Sequence, residues 1–308
     1  MRVTSNTYTN LVINSSQDAQ QRLATLQQEI STGDSVQAPS DNPVVYAEAS
    51  QDQEQISQLN AYNSAITGAT TATTANNSAM TSIHQLVANA SELATTVTSA
   101  TSASDMSSIA TQIQTLITSL TSTVNQTDAS GNYIFGGTVN EAPIDSTGNY
   151  NTSTNGETTS TEVENGNSVQ TSIAAGHAGP PAVDGFLYDS TSGVDVLGSL
   201  KQVVSDLQSG NTTAVQSTDL TALNSALDHI SMYVGSTAAQ MSAVSTASKA
   251  VTAETTTKTN QLNSLTQTDL ATASVQLSQI QNQYEAALEA GTKLMNISII
   301  NYLGTSTG

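Results

Sequence analysis

From Ile56 to Val97 the chain carries small and apolar residues at alternating spacings of three and four: Ile56, Leu59, Asn63, Ile66, Ala69, Thr73, Asn76, Met80, Ile83, Val87, Ala90, Ala94 and Val97. That spacing follows one face of an α-helix and is the pattern of a coiled-coil seam. A helix over 44–100 would run roughly 85 Å at 1.5 Å per residue, far longer than a compact domain supplies. The seam predicts a mainly α fold, an elongated coiled-coil-like helical rod. Composition agrees, because only 37% of the 308 residues are apolar, 4% are aromatic and Trp is absent, which is too little for a large globular core.

Flanking segments extend the helical pattern. Residues 8–30 carry a weak stripe that becomes apolar at Leu23, Leu26 and Ile30; Gly33 stops it, and Pro39 and Pro43 keep the chain out of helix until Asn42 caps the next one. Thr101 to Ser104 breaks the long helix, and Asp105 begins another with Met106, Ile109, Ile113, Leu116, Leu120 and Val124 on one face. Residues 131–195 lose the periodicity. They are rich in Gly, Asn, Ser and Thr, with short alternating pieces around Val163 and Val169 that predict hairpins. Helices return at 197–207 and from Leu220 to about Leu262. The closing segment, 270–303, is an amphipathic run with Leu270, Ala273, Leu277, Ile280, Tyr284, Ala287, Leu294 and Ile297 on one face, and Thr266 and Asp269 are spaced like a capping box before it. No tandem repeat is apparent. The halves are therefore expected to form three parts: 1–38 with 266–308 as a terminal helical assembly domain, 39–130 with 196–265 as the rod, and 131–195 as a small β-rich inserted outer domain.

Charge excludes one class of partner. The six basic residues are Arg2, Arg22, Lys201, Lys249, Lys258 and Lys293, against 25 acids, for a net charge of -19. Nucleic acid is excluded, since phosphate neutralisation requires clustered Lys and Arg. No run of about 20 apolar residues suits a membrane span, and the N-terminus lacks a signal-peptide pattern, so no membrane insertion is expected.

Chemistry-bearing patterns are sparse. Without cysteine there is no disulfide, thiolate zinc site or thiol nucleophile. His84, His177 and His229 are scattered and read as surface or core side chains, because zinc needs three or four converging ligands. Gly136-Gly137 lacks the remaining glycines of a phosphate loop and reads as a turn. Asp52-Gln53-Glu54 and Glu162-Val163-Glu164 read as solvated surface, since residues two apart on a helix do not face each other. No catalytic residue, metal ligand or cofactor site is assigned, and the chain is read as no enzyme.

The terminal stripes differ from the internal seams. Paired only with each other they make a structure too thin to bury both, so an assembly interface is expected at Leu11, Leu23, Leu26, Ile30, Leu270, Leu277, Ile280, Tyr284, Leu288, Leu294, Ile297 and Leu303.

Four sequence features carry a family resemblance. Met1-Arg2-Val3-Thr4, Ile30-Ser31-Thr32-Gly33, Pro39-Ser40-Asp41-Asn42-Pro43 and Tyr133-Ile134-Phe135-Gly136-Gly137-Thr138 with Ala142-Pro143 resemble the flagellin-type axial proteins of the bacterial flagellum, and more closely their hook-filament junction branch, the hook-associated protein 3 family. The first helix, with Asn14-Ser15-Ser16, is less apolar than that likeness implies. The resemblance implies an extracellular structural subunit, exported through the flagellar type III apparatus and joining hook to filament. It also implies its partners: copies of itself, a neighbouring hook-associated protein on the hook side, flagellin on the filament side, and an export chaperone. A flagellin filament subunit, or a secreted coiled-coil adhesin, are the alternatives.

Overall fold

The computed structural model describes the backbone of residues 5–305 and the side-chain surroundings of residues 10–293. The elements run α1 (Ser5–Thr32), α2 (Pro43–Thr95), α3 (Ala103–Val124), β1 (Ser160–Glu164), β2 (Asn167–Gln170), β3 (Tyr188–Asp189), β4 (Val194–Asp195), α4 (Val196–Ser209), α5 (Thr212–Ala214), a π-helical turn (Val215–Asp219), α6 (Leu220–Thr266) and α7 (Leu270–Thr305). The fold is mainly α, as the seam predicts.

The α2 helix has 53 residues, about 80 Å of axis. It starts where Asn42 Oδ1 accepts from the Val45 amide at 3.2 Å and Pro43, with no amide hydrogen to leave unpaired, takes the first helical position. It ends at Thr95, earlier than the expected residue 100, because Thr98 and Thr101 bond to nearby backbone instead (Thr98 N to Thr101 Oγ1, 2.8 Å). Ser102 then caps α3, accepting from the Asp105 amide at 3.1 Å, so this helix starts two residues before the expected Asp105. Buried rows recur at seven-residue intervals: Asp52, Leu59, Ile66, Thr73, Met80, Val87 and Ala94 on α2, and Leu223, Ile230, Thr237, Val244 and Val251 on α6. That interval is the heptad of a coiled coil.

The chain divides into two compact units, Met1–Ser57 with Thr256–Gly308, and Gln58–Thr255. In the first, α1 and α7 pack along each other. Their direction is fixed at two points: Asp34 and Gln267 form an antiparallel bridge, and Gly291 lies so close to Val12 that an added Cβ would come within 3.2 Å of Val12 Cγ1. The helices are therefore antiparallel, with residue numbers of facing positions summing to about 302. At the bridge end the two connections tie together. Ser35 donates from N (2.6 Å) and Oγ (2.9 Å) to Thr266 O, and Thr268 N donates to Gly33 O at 2.8 Å. Thr266 is thus the last residue of α6 and not the first of a capping box; Asp269 alone caps α7, accepting from Ala271 N (3.0 Å), Thr272 N (3.2 Å) and Thr272 Oγ1 (2.7 Å). In the same unit Lys258 of α6 reaches the buried Asp52 of α2 at 3.3 Å.

In the second unit, residues 131–195, expected as an inserted outer domain, pack into the core of the helices. Phe135, Ile144, Ile173, Phe186 and Leu187 belong to the cluster that contains Met80, Ile113, Leu120, Leu200, Leu223 and Ile230. Phe135 and Phe186 meet edge to face at 4.8 Å, and His229 Nε2 bonds Gly185 O at 2.9 Å. The β1–β2 hairpin joins a smaller cluster, where Val163 and Val169 cover Leu59, Ile66, Ala69 and Val244.

A short repeat, which the sequence pattern did not disclose, lies in this region. Asp128-Ala129-Ser130-Gly131-Asn132-Tyr133 and Asp145-Ser146-Thr147-Gly148-Asn149-Tyr150 form two equivalent hairpins 17 residues apart. In each the Asp amide donates to the Asn carbonyl at 2.8 Å, and the Asp Oδ1 accepts from backbone amides two and four residues on, at 2.8 and 2.9 Å. Gly131 and Gly148 sit at φ +83° and +75°, a region side chains disfavour. Lys201 of α4 holds the second hairpin through Gly148 O (2.7 Å) and Asn149 Oδ1 (2.8 Å).

The return to helix also differs from the expectation. After α4, the helix expected from Leu220 starts at Thr212, capped by Asn211 Oδ1, and passes through the π-helical turn before Leu220 without a break.

Candidate assembly surface

The α1–α7 pair divides the expected interface residues into two groups. Leu26 is buried, and Leu23, Ile30, Leu277, Ile280 and Tyr284 are half-buried; Ala19 and Ala273, outside the expected set, are buried as well. The antiparallel register sets Leu26 near Leu277 and Leu23 near Ile280, while Ala19 faces the level of Tyr284, a small residue opposite a large one. These side chains form the seam within one chain. Leu11, Leu270 and Leu288 instead remain exposed, at 64%, 52% and 47%. Leu294, Ile297 and Leu303 lie on the α7 backbone, and their side chains are outside the described residues.

Two exposed residues escaped the sequence reading: Ile13 at 47% and Val275 at 58%. At about 100° per residue, Leu11 and Ile13 flank the Val12 line on either side. Leu270 and Leu288, 18 residues or about five turns apart, share a line beside the α7 seam, whereas Val275 points away from it. Only helical-wheel angles relative to a known partner could have marked Ile13 and Val275, because neither fits the stripe. Two helices cover one side of each other and no more, so these side chains stay in water. Burying each against another surface contributes about 1.5–3 kcal/mol.

Electrostatics on this unit is sparse. Arg22 pairs with Asp18 at 3.2 Å and Lys293 with Glu289 at 2.7 Å, both exposed pairs one helical turn apart that hold charge along the polar sides. The connection between α1 and α2 is stiffened by Asp41, whose Oδ2 accepts from Gln37 N (3.0 Å) and Ala38 N (2.9 Å); the Ala38 amide, then the Gln37 amide, holds this carboxyl below the usual range.

Elsewhere the polar groups serve structure. Tyr150 donates to Asp195 Oδ1 at 2.7 Å and accepts from Leu197 N at 3.2 Å; burial, with the Asp195 charge, pushes its phenol well above the ordinary range. Asp195 also caps α4 by accepting from Gly198 N at 2.7 Å. His177 Nε2 bonds Thr154 O at 3.2 Å, a different carbonyl from the Gly185 O that His229 bonds. Among the described residues no group of three or more His, Cys, Asp or Glu converges, and no helix is long and apolar enough to cross a membrane.

Comparison with known proteins adds the family context. Residues 3–140 match the family described as the bacterial flagellin N-terminal helical region. The fold is similar to a putative flagellar hook-associated protein from Vibrio parahaemolyticus (TM-score 0.64, 17% identity, covering 74% of this chain and 100% of that one). It is also similar to flagellar hook-associated protein 3 from Legionella pneumophila (TM-score 0.58, 13% identity, 70% and 98% covered) and to Xanthomonas campestris FlgL (TM-score 0.57, 16% identity, 69% and 99% covered). No curated protein matches the sequence significantly. The resemblance read from the four sequence features is thus met twice, by the flagellin region over the first half and by the hook-associated fold.

Proposed function

We propose that this chain is a structural subunit of the bacterial flagellum that joins hook to filament by packing of its terminal helices against neighbouring subunits. The observation that carries the proposal is the exposure of apolar side chains on α1 and α7, Leu11, Ile13, Leu270, Val275 and Leu288, on a fold similar to hook-associated proteins. Exposed apolar side chains on paired helices stay in water at a cost, which packing between copies removes. Its partners are copies of itself, a hook-associated protein on the hook side and flagellin on the filament side, and it converts no substrate. Its place is extracellular, reached by export through the type III apparatus with a chaperone. Absence of cysteine and a thin core support passage as an unfolded chain.

A filament-forming flagellin is the second reading, favoured by the match of residues 3–140 to the flagellin N-terminal region. Electron microscopy of the purified protein added to hook fragments distinguishes the two. A junction subunit caps hook ends and stops; growth of long filaments from the protein alone overturns the junction reading in favour of flagellin.

A further inference from the structure

Asp219 ends the π-helical turn and is only 3% exposed, yet its Oδ2 has no hydrogen-bond partner. Another acid, Asp206, acts on it by charge and hydrogen bond. Asp206 projects from α4, which packs on the π-helical turn, and its own oxygens are engaged: Oδ1 accepts from Asn211 Nδ2 at 3.2 Å and Oδ2 from Gln202 Nε2 at 2.8 Å. Among the described residues, neither carboxylate pairs with a cation. The remaining ionisable side chain of α4, Lys201, is turned to Gly148 and Asn149, and α5 carries no ionisable residue. The segment 96–102, tied to the turn by Gln216 Nε2 donating to Val97 O at 2.9 Å, has none either, and Asp105 beyond it is bonded to Ser102.

Two neighbouring carboxylates, one of them buried, cannot both stay ionised without a large desolvation and repulsion cost. We propose that Asp219 and Asp206 share one proton, carried by Asp219 and donated to the Asp206 carboxylate, which latches the π-helical turn onto α4 and is released in alkaline solution. The extra residue in the π turn serves this contact: Val215 and Asp219 both point inward from it. Burial first, then the charge and hydrogen bond of Asp206, raises the Asp219 carboxyl above its ordinary value. A raised folded-state value means that the folded chain binds the proton more tightly than the unfolded one. The stabilisation is therefore complete below about pH 4 and lost as pH rises through the raised value.

The test is thermal unfolding of the full chain between pH 3.5 and 8 for wild type and Asp219→Asn, whose amide keeps a donor toward Asp206 without titrating. The wild-type unfolding constant should rise severalfold over this range relative to the variant. Parallel pH profiles overturn the latch. A carboxyl-carbon NMR titration of wild type gives an independent reading that does not need the variant to fold. The Asp219 carboxyl should titrate above the ordinary aspartate range, and titration at the ordinary aspartate value refutes the shared proton. If millimolar Ca2+ at pH 8 stabilises wild type but not Asp219→Asn, the pair holds a cation and the proton latch is wrong.

Discussion

At the scale of single residues, the exposed aspartates and the buried one respond to pH with opposite signs. Asp128 is held below the usual carboxylate range by the Asn132 amide, Asp145 by the Thr147 hydroxyl and then the Asn149 amide, and Asp269 by the Thr272 hydroxyl. A depressed folded-state value gives stability that is present above about pH 4 and lost as pH falls through the depressed value. Acid titration below pH 4 should loosen the two repeated hairpins and the start of α7, read as a rise in amide hydrogen exchange there, whereas Asp219 acts above that range. The glycines separate conformation from space. Gly148 has φ +75° and nothing within 4 Å of an added Cβ, so Gly148→Ala should cost about 1–2 kcal/mol from backbone strain alone. A Cβ on Gly185 would run into the Gly176 amide, the Ala174 carbonyl and the Ala175 backbone, so Gly185→Ala should cost clearly more. Thermal unfolding of the two variants checks the order.

At the scale of elements, the polar members of the heptad rows decide alignment. Asp52 continues the row of Leu59, Ile66 and Met80, and Lys258 continues that of Val244 and Val251, so the ion pair stands where a coiled coil places an apolar contact. Removing one partner leaves a charge largely out of water: Lys258→Met should destabilise by about 3 kcal/mol, and the double variant Asp52→Leu with Lys258→Met should recover most of that loss. Denaturant unfolding of both singles and the double measures the coupling, and equal losses in the single and double variants would show that the pair does not act as a unit. This pair also marks the limit of what the sequence discloses. Helix existence was legible because the three-four spacing of Ile56 to Val97 is local, and the stops at Gly33 and Pro43 rest on one or two residues. An apolar search ends at Ile56 and cannot extend a seam to an acid whose partner lies 206 positions away. The π-helical turn has no periodic signature, and the twin hairpins depend on a six-residue pattern hidden among many Ser, Thr and Asn. For the interface, periodicity marked the stripes on α1 and α7 but could not say which side chains each helix covers on the other, so Leu26 and Leu11 read alike though one is buried and the other exposed.

At the scale of the whole molecule, two forces set the terms of assembly. With a net charge of -19, approaching copies repel at long range, and salt shortens that repulsion to about 10 Å at 0.1 M. Apolar burial on α1 and α7 acts only at contact. Association should therefore quicken as ionic strength rises, the reverse of what ion-pair-driven assembly gives, and light scattering across a salt series measures it. The contact itself is tested by Leu11→Ser, Val275→Ser and Leu288→Ser together. These side chains are already in water, and surface substitutions of this kind change monomer stability by no more than about 0.5 kcal/mol each. If they form the joint, the triple variant should melt almost as wild type does yet fail to cap hook fragments. Leu26→Ser, within the buried seam of the pair, should instead loosen α1 and α7 in the monomer before assembly is tested. Removal of residues 268–308 should abolish assembly and leave the 58–255 unit folded, since the hydrophobic clusters described in that unit are built from its own residues. Normal capping by the triple variant, with its melting unchanged, would move the joint away from these exposed side chains of the terminal helices.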